Sequence, residues 1–138
     1  MGQAKIRVGI VGPGRIAGMV HLPSLKLCPE RCDVVAVASR TEEKARAFAA
    51  QWGIPRVHTD WKALLADPDI DAVVLCPPSG LTADMAKAAA AAGKHILCEK
   101  PLGLTYADAR EVETAAAGSA GVHMVAFTFR FVPALRYL

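Results

Sequence analysis

The sequence predicts an α/β fold: a doubly wound parallel sheet with helices on both faces. Three observations carry that expectation. Strand-like and helix-like segments alternate almost without exception along the 138 residues, the pattern that builds a parallel sheet through crossover helices. The strands read as near-continuous apolar runs, as in Val34–Ala38 and Ala72–Cys76, so both sheet faces should be covered. Alanine is abundant, mostly in the helical segments, and suits close packing of helix on sheet.

The elements follow in order. Ile6–Val11 is an apolar run broken by Arg7 and Gly9 and reads as the first strand. A helix should start near Arg15 and run to about Cys28, where Pro29 closes it. Val34–Ala38 is the second strand. Thr41 then offers an N-cap, and Glu42 and Glu43 suit the positive end of a helix. Ala45, Phe48, Ala49 and Trp52 share one face of that helix at i, i+3, i+4, i+7, and Gly53 ends it. A short strand over Arg56–His58 precedes a short helix capped by Asp60 and carrying Trp61, Leu64 and Leu65; Asp67–Pro68 stops it. The fourth strand, Ala72–Cys76, ends at Pro77–Pro78. Thr82–Ala92 is helical by alanine propensity and Gly93 ends it. His95–Cys98 is the fifth strand. Thr105 with Asp108 forms a capping-box pattern opening a helix to about Ala117, and Val122–Phe127 is the last strand.

Composition narrows the function. A chain that is 53% hydrophobic and 21% charged, with mean hydropathy +0.28, has the wrong balance for disorder. Its apolar runs are strand-length, far short of the ~20 residues a membrane helix needs. Sixteen basic against thirteen acidic residues give +3, spread along the chain, with no basic patch for nucleic acid. No secretory leader or myristoylation pattern is visible at the start. Cys76 and Cys98 lie in apolar strands and read as small core residues; Cys28 and Cys32, spaced CxxxC, lack partners for a zinc site. His21, His58, His95 and His123 share no spacing and form no metal motif. A reduced, cytoplasmic protein is expected.

Chemistry concentrates at three turns. Gly12–Pro13–Gly14–Arg15–Ile16–Ala17 is GxGxxA between a strand and a helix. Gly12 permits the tight turn, Gly14 lets the backbone approach a pyrophosphate, and Ala17 is small enough for helix to pack on strand. The free N–H groups of the helix start then bind phosphate. At the end of the second strand, where an NAD-binding fold usually places Asp or Glu for the ribose 2′-OH, this chain has Ser39, Arg40 and Thr41. Two hydroxyls and a guanidinium suit a 2′-phosphate, which favours NADP(H) over NAD(H). Arg40 can also be read as a solvated charge, with Ser39 and Thr41 only capping a helix. Past the fifth strand lies Cys98–Glu99–Lys100–Pro101, where ligands of open α/β sheets bind. A lysine there can polarise a carbonyl or pass a proton when burial lowers its pKa, and Glu99 could hold its orientation. Cys76–Pro77–Pro78–Ser79 would face the same crevice.

Together and in order, these segments resemble the N-terminal, Rossmann-type domain of the Gfo/Idh/MocA family of NAD(P)-dependent oxidoreductases. The matching stretches are VGIVGPGRIA (8–17), VVAVASRTEEKARAF (34–48), IDAVVLCPP (70–78), AGKHILCEKPL (92–102) and AFTFRF (126–131). The resemblance implies hydride transfer between a nicotinamide and an alcohol or carbonyl carbon of a sugar, cyclitol or similar small molecule. It implies that Lys100 sits near nicotinamide and substrate as the catalytic lysine, and that Gly12 to Ile16 hold the pyrophosphate. It further implies that Cys76, Pro77, Pro78, Leu81 and Glu99 line the ribose and nicotinamide side, and that Arg130 approaches the cofactor from the last strand. Ser79, Gly80, Leu81 and Thr82 replace the Asn-x-x-His common after the strand-four proline, and Phe127–Phe131 replaces a more polar run.

Family members continue into a second domain that binds substrate; this sequence reaches Leu138 where that domain would begin. The expected division is a dinucleotide-binding domain over 1–130 and the start of a linker or helix over 131–138. Phe131, Leu135 and Leu138 then form an apolar helical stripe that would pack on that domain; in this chain it should fold back on the body, pair with a second copy or be poorly ordered. Substrate would be a partner only with that second domain; nucleic acid and membrane are not expected partners. The alternative reading is a stand-alone NADP(H)-binding sensor or subunit-interaction module without catalysis.

Overall fold

The computed structural model describes residues 4–136. Six parallel strands form one sheet: β1 (Ile6–Val11), β2 (Cys32–Ala38), β3 (Arg56–His58), β4 (Ala72–Leu75), β5 (His95–Cys98) and β6 (His123–Val125). Their order across the sheet is β3-β2-β1-β4-β5-β6. The chain winds outward from β1 in one direction, then returns to β4 on its other side. The connections after β1 and β4 therefore diverge and leave a crevice at the carboxyl ends.

Residues alternate across the strands and build two cores. Val8, Ile10, Val37 and Val74 pack against Ala17, Leu22, Phe48 and Ala49, on the side of α1 (Leu22–Lys26) and α2 (Glu42–Trp52). Val11, Ala36, Ala38, Val73 and Leu75 face α3 (Trp61–Ala66), α4 (Thr82–Ala91) and α5 (Tyr106–Ala117) through Leu64, Leu65, Met85, Ala89 and Val112. One-residue alternation in every central strand is what a sheet covered on both faces requires. No helix among the described residues is long and apolar enough to cross a membrane.

Local signals explain most boundaries. Thr105 Oγ1 accepts from Asp108 N–H at 3.1 Å while Asp108 Oδ2 accepts from Thr105 N–H at 2.9 Å, closing the expected capping box. Asp60 caps α3 by accepting from Lys62 N–H. Thr41 is the N-cap of α2 by position, but its side chain makes no cap bond; its own N–H donates to Ser39 Oγ at 3.2 Å.

Four expectations are corrected. The first helix contains a π turn, Ala17–His21, before α1, and ends at Lys26. Pro23 follows that turn and has no N–H to return, and Leu22 N–H bonds the Ala17 carbonyl five residues back. β2 starts two residues earlier than its apolar run, since Cys32 and Asp33 pair with Ile6 and Arg7. The last strand is only His123–Val125, because Phe127 leaves the sheet and caps a 3-10 turn over Thr128–Phe131. The expected stripe is not one helix: Val132 is extended, the conformation favoured before a proline, and a second 3-10 turn spans Pro133–Arg136. Phe131 and Leu135 are exposed, and Leu138 lies outside the described residues.

The amino end of the sheet is held by charge. Asp71 takes the Arg7 backbone N–H at 2.8 Å, Nε at 3.0 Å and Nη2 at 2.7 Å, joining β1 to β4. Lys94 is buried, and its ammonium donates to the carbonyls of Asp67 and Ile70 at 2.8 and 2.7 Å. The Arg7 hydrogen bonds hold the Asp71 carboxyl down at about 2 against an ordinary 3.8. A depressed carboxyl stabilises the fold fully above its unfolded value and loses that contribution as pH falls through the folded one. Denaturant melts should therefore show wild type more stable than Asp71→Asn at neutral pH, with the gap closing between pH 4 and pH 2. A gap independent of pH would mean that packing, not ionisation, separates the two.

Candidate dinucleotide site

The carboxyl ends of β1, β2 and β4 frame a cavity of about 320 Å³. Gly12 N–H donates to the Ala38 carbonyl at 3.0 Å, and Cys76 N–H donates to the Val11 carbonyl at 2.8 Å, so the three strand ends are fixed together. Gly12 has φ +86°, and a Cβ there would sit 2.4 Å from the Cys76 carbonyl oxygen. Only glycine meets both demands. Gly14 differs: a Cβ on it would meet nothing nearer than the Gly12 carbonyl oxygen at 4.0 Å. Its bare face looks onto open space, which is where a ligand's phosphates can reach the backbone. The helix that begins next to it leaves its first N–H groups without intrahelical acceptors.

Of the residues chosen from sequence, the cavity brings together Gly12, Pro13 and Gly14 from the turn, Ser39, Arg40 and Thr41 from the end of β2, and Cys76, Pro77, Pro78 and Leu81 from beyond β4. Lys44, Trp61 and Met85, absent from the sequence-derived candidates, also line it. Lys44 lies on the first turn of α2, four residues beyond Arg40; that spacing was the available signal for a second cation. The sequence pattern marks Trp61 only as a helix core residue, yet Asp60 starts α3 so that the indole stands beside the β2 corner. Among the described residues, no carboxylate lines the cavity. The nearby Glu42 is held by Arg46 at 2.6 Å.

The remaining candidates lie elsewhere. Arg15 turns along its own helix, its Nε 3.3 Å from Met19 Sδ, and Ile16 is exposed. Neither side chain lines the cavity. Arg130 is exposed in the 3-10 turn, with its guanidinium over the Phe131 ring at 5.7 Å. The early end of β6 leaves it outside the cavity. Lys100 is exposed just past β5, followed by a cis bond to Pro101. The orientation expected of Glu99 takes a different form. Glu99 Oε2 accepts the Lys100 backbone N–H at 3.2 Å, and Oε1 lies 2.8 Å from His21 Nε2. The thiols of Cys76 and Cys98 are each pushed up to about 12, first by burial and then by the Glu99 charge, so they are protonated and inert at neutral pH.

The family model for an oxidoreductase family with an NAD-binding Rossmann fold matches residues 6–127. The chain belongs to the Gfo/Idh/MocA oxidoreductase family. A D-xylose 1-dehydrogenase (NADP(+)) of Haloferax volcanii is 38% identical over 125 residues, 91% of this chain and 38% of that protein. Myo-inositol 2-dehydrogenase of Thermotoga maritima is 34% identical over 75% of this chain and 30% of its own length. Among solved structures, a 3-ketoreductase from Actinomadura kijaniata in complex with NADP and TDP-benzene superposes with TM-score 0.89 at 35% identity, over 97% of this chain and 41% of that one. The chain thus spans about two-fifths or less of the length of these relatives. Its Gfo/Idh/MocA fold is the family's nucleotide-binding domain.

The two glycines separate fold from binding. Gly12→Ala should destabilise by about 2 kcal/mol or more, through a left-handed Cβ and its clash with Cys76. Gly14→Val should stay within about 1 kcal/mol of wild-type stability yet lose dinucleotide binding. Thermal melts and calorimetry check both, and a Gly14→Val protein that binds normally would remove the pyrophosphate from this turn.

Proposed function

We propose that this domain holds NADP(H) in preference to NAD(H), as the cofactor half of an oxidoreductase acting on an alcohol or carbonyl carbon of a small polyhydroxy substrate. One observation carries the cofactor choice: among the described residues, the cavity wall at the end of β2 presents Arg40, Lys44, Ser39 and Thr41 and no carboxylate. Two cations and two hydroxyls complement a 2′-phosphate, and an acid that would repel it is missing from the wall. The open face of Gly14 leaves room for a pyrophosphate on the backbone. Trp61, Leu81 and Met85 offer apolar walls for an adenine ring. The donor set and the space therefore fit the cofactor.

A nicotinamide cofactor bound here takes up or supplies a hydride. The chain's own residues orient the reactants. Lys100 Nζ holds the substrate oxygen by a hydrogen bond and gives it a proton when a carbonyl is reduced. The Glu99 carboxylate sets the start of that corner through the Lys100 N–H. The substrate class is supported by relatives named for D-xylose and myo-inositol. Hydride transfer needs both reactants held in near-attack geometry, and the described residues build the cofactor side of that pair.

Calorimetric titration with NADPH and NADH, followed also through Trp61 fluorescence, tests the reading. NADPH should bind at least about tenfold tighter, and Arg40→Ala should cost NADPH about tenfold or more while changing NADH by less than about twofold. Equal losses for both cofactors would take Arg40 off the 2′-phosphate.

A further inference from the structure

We propose that His21 is a positioning residue for the Glu99–Lys100 corner. It lies on the π turn rather than in the glycine turn, and the residue is 5% exposed. Its Nε2 meets Glu99 Oε1 at 2.8 Å across 78 residues of sequence. The other oxygen of the same carboxylate accepts the Lys100 N–H. One imidazole thus fixes a carboxylate, and that carboxylate fixes the backbone at the point where the chain leaves β5. The β5 strand itself ends in a bond from Glu99 N–H to the Leu75 carbonyl at 2.9 Å, so the corner is anchored to the sheet through backbone and to the first helix through His21.

The π turn explains how a polar ring comes to be there. An α-helical run would continue one register from Arg15 into α1. The five-residue turn instead buries Ala17, His21 and Leu22 together, and Ser24 Oγ donates to the Val20 carbonyl one turn back at 2.8 Å. Single π turns inside helices concentrate at functional sites because they spend regular hydrogen bonding to re-aim a side chain. The Glu99 side chain is itself only 15% exposed. Removing the imidazole would leave a largely buried carboxylate with one partner fewer, and such a group turns toward water or toward the neighbouring backbone. The Glu99 carboxylate would then no longer stand in one orientation when a ligand arrives, which is a loss of preorganisation rather than of fold.

This inference rests on the cofactor reading for its purpose, and the test separates the two. Wild type, His21→Ala and His21→Gln are compared without ligand by amide exchange, then with NADPH and with adenosine 2′,5′-bisphosphate. Without ligand, His21→Ala should speed exchange of the Lys100 amide by about tenfold, leave the Glu99 amide bonded to Leu75 unchanged, and be reversed by His21→Gln, whose amide can still donate to Glu99. With ligand, His21→Ala should weaken NADPH by about tenfold and leave the bisphosphate unaffected, since the latter lacks the nicotinamide half. Unchanged Lys100 exchange, or equal acceleration at Lys100 and Glu99 that His21→Gln does not reverse, overturns the positioning role; so does equal weakening of both ligands. A folded wild type that binds neither ligand overturns the cofactor reading instead, and the exchange comparison alone then decides His21.

Discussion

Everything at the carboxyl edge of this sheet depends on how closely the turn after β1 approaches the end of β4. Gly12 makes that approach possible. Its positive φ turns the chain, and its missing Cβ leaves the Cys76 carbonyl where a side chain would collide with it. Because β1 and β4 are neighbours whose connections run opposite ways, the space beyond them stays open. The Gly12–Gly14 turn, the cationic corner after β2 and the Pro77–Pro78 wall all take their positions from that contact.

The two ends of the sheet divide the work. At the amino end charged groups satisfy one another: Arg7 with Asp71, Arg56 with Asp67 at 2.8 Å, and the buried Lys94 with two carbonyls. At the carboxyl end Arg40, Lys44 and Lys100 are exposed, and the cavity wall that the first two line holds no acid. Cations gathered without carboxylates repel one another modestly, and an anionic ligand relieves that repulsion. The same edge carries exposed apolar residues past β6, including Phe127, Phe129 and Phe131.

Much of this was legible in the sequence because it is local. GxGxxA needs only the strand before it and the helix after it, and Thr105 with Asp108 closes a box within four residues. Alternation of elements fixed the parallel sheet, and buried strands announced themselves as apolar runs. What escaped depends on contacts distant in sequence or on irregular backbone. His21 meets Glu99 only because the π turn re-aims it, and Pro23, the sole local hint, is compatible with an ordinary first turn. Lys44 and Trp61 reach the cavity because α2 and α3 both start at the same corner, a fact of strand order rather than of composition. The apolar spacing of Phe131, Leu135 and Leu138 suggested a helix, but Pro133 holds Val132 extended and divides it. Arg130 was carried over by resemblance, and the chain leaves the sheet before it can reach the cavity.

Backbone chemical-shift mapping on addition of NADPH tests most directly whether the crevice between β1 and β4 is the binding site. The expected result is that the largest shifts fall on Gly12–Ile16, Ser39–Lys44 and Cys76, with a second set at Glu99 and Lys100, while the amides around Arg7, Asp71 and Lys94 stay unmoved. Shifts concentrated at the amino end of the sheet, or spread evenly over the surface, would contradict the assignment of this cavity to the dinucleotide.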